Sequence, residues 1–263
     1  MQSKRRNKYT KGKVYVYGKH ALMEALRNAP QSIREVFLAP HMYLSATDVG
    51  NTGLRASLAK LNIPSAQLTS GEGKELAGRD ATHQGVIFTI DPSTLLVSFE
   101  NFMKSLDMKK NPSIAILGEV QDPHNVGAII RSAAAFGLSG VLIPEHNQAP
   151  ITGVVVKSSA GMAFRIPLVT IGNVNNSLKI LKKKGFWIYG LTMNGTTPPD
   201  TEAFNTPSVF VVGNEGTGIR EKTLAMCDVT LSIPIHVRAE SLNAATAAAI
   251  IFYEWSRKNP KAV

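Results

Sequence analysis

The sequence predicts an α/β protein, a C-terminal parallel-sheet sandwich with a smaller N-terminal α/β unit. Three observations carry this. Short apolar runs alternate with amphipathic helical stretches from Ile114 to the end of the chain. Runs such as Val209-Phe210-Val211-Val212 are apolar at every position, so both faces of their sheet are covered, as in parallel sheets. A similar alternation fills residues 14–91, and the weakly patterned stretch 92–112 between the two reads as a linker.

Residues 1–13 carry six Lys or Arg and no acid, and read as a basic arm able to neutralise phosphates; a solubilising tail or a targeting peptide fits equally. A strand is expected at Val14 to Tyr17, then a helix from His20 to Arg27 ended by Pro30. Val36 to Leu38 reads as a strand, Leu54 to Leu61 as a helix, Ser70 to Leu76 as a short helix and Val86 to Ile90 as a strand. Within 92–112 one weak helix is expected around Phe99 to Leu106. In the second half, strands are expected at 114–117, 140–143, 166–169, 186–191, 208–212 and 229–233. Helices are expected near 126–136, 153–160, 174–184 and 219–226, with a last one from Leu242 to about Trp255. Gly137 closes the helix near 126–136.

The 263 residues are 44% hydrophobic, ample for a buried core. A net charge of +10 and a pI near 9.7 point to a polyanionic partner, nucleic acid before an anionic membrane. Cys227 is the only cysteine, and the six histidines form no His-x-x-x-His pair, so no disulfide framework and no thiolate metal site is expected. No apolar run reaches a membrane span, and the chain reads as a protein of a reducing, aqueous compartment.

Three loops that follow strands are unusual: Glu119 to Asn125, Gly213 to Gly218, and Ile233-Pro234 through Glu240-Ser241-Leu242-Asn243. In open parallel sheets ligands bind beyond the carboxyl ends of the strands, so all three are expected on that edge. Asn125 is expected to cap the helix after the first loop, and Ser241 the last helix. Arg131 lies on the first helix among alanines, and reads equally as a solvated surface arginine. The second loop is spaced G-x-x-G-x-G, which fails the dinucleotide fingerprint, and no phosphate-gripping G-x-x-x-x-G-K-[ST] is present. Glu215, between Gly213 and Gly216, is free to accept hydrogen bonds, or is a solvated loop acid.

Together these residues resemble the SpoU-type (TrmH-like) RNA ribose 2′-O-methyltransferases of the knotted SPOUT superfamily. Leu117-Gly118 to Gly137, with D-P-x-N-x-G and R-S-A, resembles the first family motif. Val209 to Gly218 resembles the second, and Ile233-Pro234 with Glu240 to Asn243 and the Ala-rich helix ending in Tyr253-Glu254 resembles the third. Residues 14–91, with Gly18-Lys19-His20-Ala21 and His83-Gln84-Gly85-Val86, resemble the family's ribosomal-protein-like RNA substrate-binding domain, in the variant that acts on a guanosine of 23S ribosomal RNA.

The resemblance implies a methyltransferase domain at 113–263 with a deep C-terminal trefoil knot, S-adenosylmethionine as cofactor, a structured RNA substrate, a homodimer, no metal, and a cytoplasmic location. It places catalytic roles on Asn125, Arg131, Glu215, Ser241 and Asn243. It places cofactor contacts on Leu191, Gly213, Asn214, Gly216, Gly218, Ile233 and Leu242. The chain departs from the family at Ile235-His236-Val237-Arg238, where many members carry Met and glycines. Transfer RNA is the alternative substrate to ribosomal RNA. A catalytically inactive RNA-binding relative and a nucleotide-dependent oxidoreductase are the rival readings, the latter disfavoured by the glycine order.

Overall fold

The computed structural model describes residues 13–44, 49–69, 71, 76 and 83–260. The basic arm and nearly all of the helix expected at 70–76 lie outside them. In chain order the first elements are β1 (Val14–Tyr17), α1 (Lys19–Asn28), β2 (Ile33–Leu38), α2 (Pro40–Leu44), α3 (Val49–Lys60), β3 (Ser65–Gln67) and β4 (Val86–Ile90). Then come β5 (Leu96–Ser98), α4 (Phe99–Ser105), β6 (Ser113–Gly118), α5 (Pro123–Ala135), β7 (Gly140–Pro144), α6 (Gly153–Ser158), β8 (Leu168–Ile171) and α7 (Val174–Lys183). The chain ends with β9 (Trp187–Leu191), β10 (Ser208–Gly213), α8 (Glu221–Leu224), β11 (Val229–Leu231) and α9 (Ala244–Lys258).

Two compact units result. The first holds Met1–Leu95 and Ile151–Arg165. Its sheet runs β1-β4-β2-β3, with β4 antiparallel to both neighbours and β2 parallel to β3. Central β4 is buried at all five positions, as a Val-Ile-Phe-Thr-Ile run requires. Gly18, at φ +106, turns the chain from β1 into α1, which buries Ala21, Leu22 and Ala25. The same α1 face buries Glu24, 1% exposed, whose carboxylate pairs with Arg165. That bond from Arg165 comes first, and it outweighs burial to hold the Glu24 carboxyl below its ordinary value.

The second unit holds Leu96–Pro150 and Ile166–Val263 around a seven-stranded sheet ordered β11-β9-β10-β6-β7-β8-β5. Every pairing in it is parallel. Alternation of side chains divides its core. Ile114, Ile116, Val209 and Val211 meet Phe102 of α4 and Leu178 and Leu181 of α7. On the other face Phe210 stacks on Tyr189 at 5.5 Å between ring centroids and meets Phe252 of α9 at 5.7 Å. Ile251, Phe252 and Trp255 of α9 are fully buried.

At two places the packing crosses the boundaries read from the sequence. The stretch 92–112 is more than a linker: Leu96–Ser98 is the edge strand of the large sheet, paired with β8, and Phe102 is 2% exposed in its core. Phe102 fits because Gly140 beside it has no side chain; a Cβ there would lie 2.7 Å from the ring. The second concerns Ile151–Arg165, which lies inside the 113–263 stretch by sequence but groups with the first unit by packing. This segment packs in the first unit, with α6 against β1 and Phe164 tilted toward Phe88 at 6.5 Å. Both features are long-range pairings, to which local periodicity is blind.

Candidate active site

The loops after β6, β9, β10 and β11 all leave the carboxyl edge of one parallel sheet. At that edge Gly118 and Gly213 stand opposite each other in register. A Cβ on Gly213 would fall 2.4 Å from the Gly218 carbonyl carbon, so only glycine lets the chain fold back there. The fold-back is closed by Asn214 N donating to Gly218 O at 3.0 Å and Gly218 N donating to Asn214 O at 2.9 Å, with Gly218 at φ +67. Asn214 is spent within the loops. Its Oδ1 accepts from Gly216 N and Thr217 N, and its Nδ2 donates to the Glu119 carbonyl at 2.9 Å.

Within this frame three expected residues come together. Asn243 Nδ2 donates to Asn125 Oδ1 at 2.9 Å, and Asn125 Nδ2 donates to Glu215 Oε1 at 2.9 Å. The amide orientations follow from their partners. Asn243 Oδ1 is occupied by the N–H groups of Ala245 and Thr246, so only its Nδ2 can face Asn125. Glu215 also accepts from Gln121 N and Asp122 N, each at 3.3 Å. Burial raises the Glu215 pKa, but the bonds from Asn125 and from the backbone outweigh it and hold the carboxyl below its ordinary value. The chain of amides therefore ends on an ionised carboxylate.

The capping roles expected for Asn125 and Ser241 are corrected. Asp122 caps α5, accepting from His124 N at 2.8 Å, because Pro123 fills the first helical position and needs no acceptor. Asn125 is then the third helical residue, 7% exposed, which frees its side chain for Glu215. Asn243 caps α9, and Ser241 lies exposed in the preceding loop. Arg131 is not part of the cluster. It lies six residues, about one and two-thirds turns, beyond Asn125, exposed and in no ion pair among the described residues.

Of the residues expected to hold the cofactor, Leu191 and Ile233 lie half-buried at or just beyond strand ends on this edge, Leu242 lies half-buried just before α9, and Gly216 is exposed. Among the described residues the backbone N–H groups of Ile233 and Leu242 donate to no acceptor. Met193, Ile235 and Val237 add exposed apolar surface nearby, Val237 being 94% exposed. Two site-loop residues were not anticipated. Glu119 accepts from Arg220, with Nη2 at 2.7 Å, which ties the first loop to the second. The only sequence signals were an acid after Gly118 and a base after Gly218-Ile219.

A parallel sheet whose carboxyl-edge loops converge on an ionised carboxylate and two amides defines an α/β enzyme domain. Residues 112–253 match the SpoU rRNA Methylase family, and residues 15–96 match the RNA 2′-O ribose methyltransferase substrate-binding family. The chain belongs to the SpoU rRNA methylase family. It is 32% identical over 245 residues to the 23S rRNA (guanosine-2′-O-)-methyltransferase RlmB of Neisseria meningitidis, covering 92% of this chain and 94% of that one. The enzyme of the same name from Haemophilus ducreyi is also 32% identical, over 92% of this chain and 97% of its own. In fold, the chain matches the SpoU methyltransferase AviRb of Streptomyces viridochromogenes, solved in complex with AdoMet. The TM-score is 0.77 at 22% identity, over 98% of this chain and 95% of AviRb.

Proposed function

We propose that this protein methylates a ribose 2′-hydroxyl of structured RNA, a guanosine of large-subunit ribosomal RNA, with S-adenosylmethionine as donor. The observation that carries this reading is the hydrogen-bonded chain Asn243–Asn125–Glu215 at the carboxyl edge of the sheet. The cofactor fits the donor set. Unsatisfied backbone N–H groups at Ile233 and Leu242 suit a purine edge, and Leu191 with the apolar loop residues suits its faces. When bound, the cofactor supplies an electrophilic methyl group on a sulfonium. The residues of this chain do the rest. Glu215 and Asn125, locked to each other, orient the ribose. Asn243 fixes the tilt of Asn125 while capping α9, and Ser241, two residues before it, is assigned to the substrate. A guanidinium offers a planar fork of hydrogen-bond donors and no acceptor. Arg131 is therefore assigned to gripping an RNA phosphate and stabilising the alkoxide charge that develops on the 2′-oxygen.

The reading extends to the whole protein. The 232–243 loop threads as the family's trefoil knot, the protein works as a homodimer in the cytoplasm, and the first unit supplies RNA affinity and choice. Calorimetry tests the cofactor assignment directly. S-adenosylhomocysteine should bind with micromolar or better affinity and nicotinamide dinucleotides should give no heat; the reverse order would favour an oxidoreductase.

A further inference from the structure

Glu119, in the first site loop, holds the left-handed backbone region without being glycine, at φ +68. A side chain there is strained, and glycine would relieve it. What the strained residue gains is a set of ties to the second loop. Its carboxylate accepts from Arg220 Nε at 2.9 Å and Nη2 at 2.7 Å, and its carbonyl accepts from Asn214 Nδ2 at 2.9 Å. The next carbonyl, of Val120, is held by Gln148 Nε2 at 2.6 Å and Ala149 N at 3.1 Å. The two N–H groups that follow, of Gln121 and Asp122, are those that donate to Glu215. The clasp thus sets the loop whose amides grip the carboxylate at the end of the amide chain.

We propose that Glu119 and Arg220 are positioning residues for methyl transfer, a clasp that holds the first loop where its backbone orients Glu215. An exposed ion pair of this kind adds little to stability, Arg220 being 65% exposed, so its value lies in geometry. The inference rests on the methyltransferase reading of the site, and the experiment separates the two.

The test compares the full-length protein with Glu119→Gly, Arg220→Ala and the double variant, following single-turnover methyl transfer, melting temperature and the titration of the Glu215 carboxyl by carbon-13 NMR. Glu119→Gly should melt at or above the wild-type temperature, since glycine accepts the backbone without strain. Both single variants should nevertheless transfer methyl about 10-fold more slowly, as loosened positioning does. The double variant should be no slower than the worse single, because the two act as one unit. The Glu215 midpoint should rise in both. For Glu119→Gly that rise runs against simple electrostatics, since removing a neighbouring negative charge alone would lower it. A Glu215 midpoint that stays put in Arg220→Ala and falls in Glu119→Gly overturns the clasp. A wild-type protein that transfers no methyl overturns the reading of the site instead, and the titration still decides the clasp.

Discussion

Asn125 sits between two hydrogen bonds, one accepted from Asn243 and one donated to Glu215, which makes single substitutions informative. Asn125→Asp would set a second carboxylate against Glu215 at about the 2.9 Å of the present bond. Like charges so close disfavour ionisation, so the Glu215 pKa should climb and methyl transfer should fall steeply while S-adenosylhomocysteine binding persists. Arg131 offers the complementary case. Arg131→Ala should slow single-turnover transfer about 10²-fold, as loss of an electrostatic stabiliser does, with cofactor affinity unchanged. Lys at that position should rescue poorly, because a point charge does not reproduce a planar fork on phosphate. A loss under threefold in Arg131→Ala would leave a solvated surface arginine. Glu215 also sets a pH dependence. Its pKa in the folded protein is lowered from 4.5, so its contribution to stability is fully present above that value and is lost as pH falls through the lowered one. Urea unfolding of wild type and Glu215→Gln should differ by a constant amount from pH 7 to 5, and the difference should shrink below pH 4.5.

Among elements, the turn after β10 is the least forgiving. Gly213→Ala must move backbone, because the new Cβ would lie 2.4 Å from the Gly218 carbonyl carbon. A loss of roughly 1–3 kcal/mol in urea unfolding is expected, together with weaker cofactor binding. The helix-strand alternation of the second half was legible from periodicity, because β10 is buried at every position and α9 is apolar along its inner face. Asn125, Glu215 and Asn243 were legible only through the motifs that hold them. Their bonds span 90 and 118 residues, and which loops meet depends on a strand order that no local pattern encodes. The same limit hid β5, whose Leu-Val-Ser run is too short to stand out until β8 pairs with it. It also hid the helix caps, where Asp122 outcompeted Asn125 once Pro123 took the first position.

For the whole molecule, Ile151–Arg165 changes what truncation can test. Deletion of residues 1–91 is not a clean test of whether the first unit chooses the RNA. It would strip α6 and Phe164 of the strand and helix they pack on, and leave Arg165 without Glu24. A substitution is cleaner. Arg165→Ala leaves Glu24, 1% exposed, short of its main partner, and should cost roughly 1–3 kcal/mol in unfolding of the first unit while cofactor binding is retained. The proposed homodimer predicts a mass by light scattering of twice the 28.4 kDa chain at micromolar concentration, and a single-chain mass would overturn it. The central claim is the chemistry itself. The most direct measurement incubates the full chain with methyl-labelled S-adenosylmethionine and large-subunit ribosomal RNA, then digests the RNA with alkali. Methylation of a ribose 2′-oxygen blocks cleavage at its own phosphodiester, so the account predicts label in an alkali-resistant dinucleotide beginning with guanosine. Label released in a mononucleotide, as a methylated base would give, or no label at all, would contradict it.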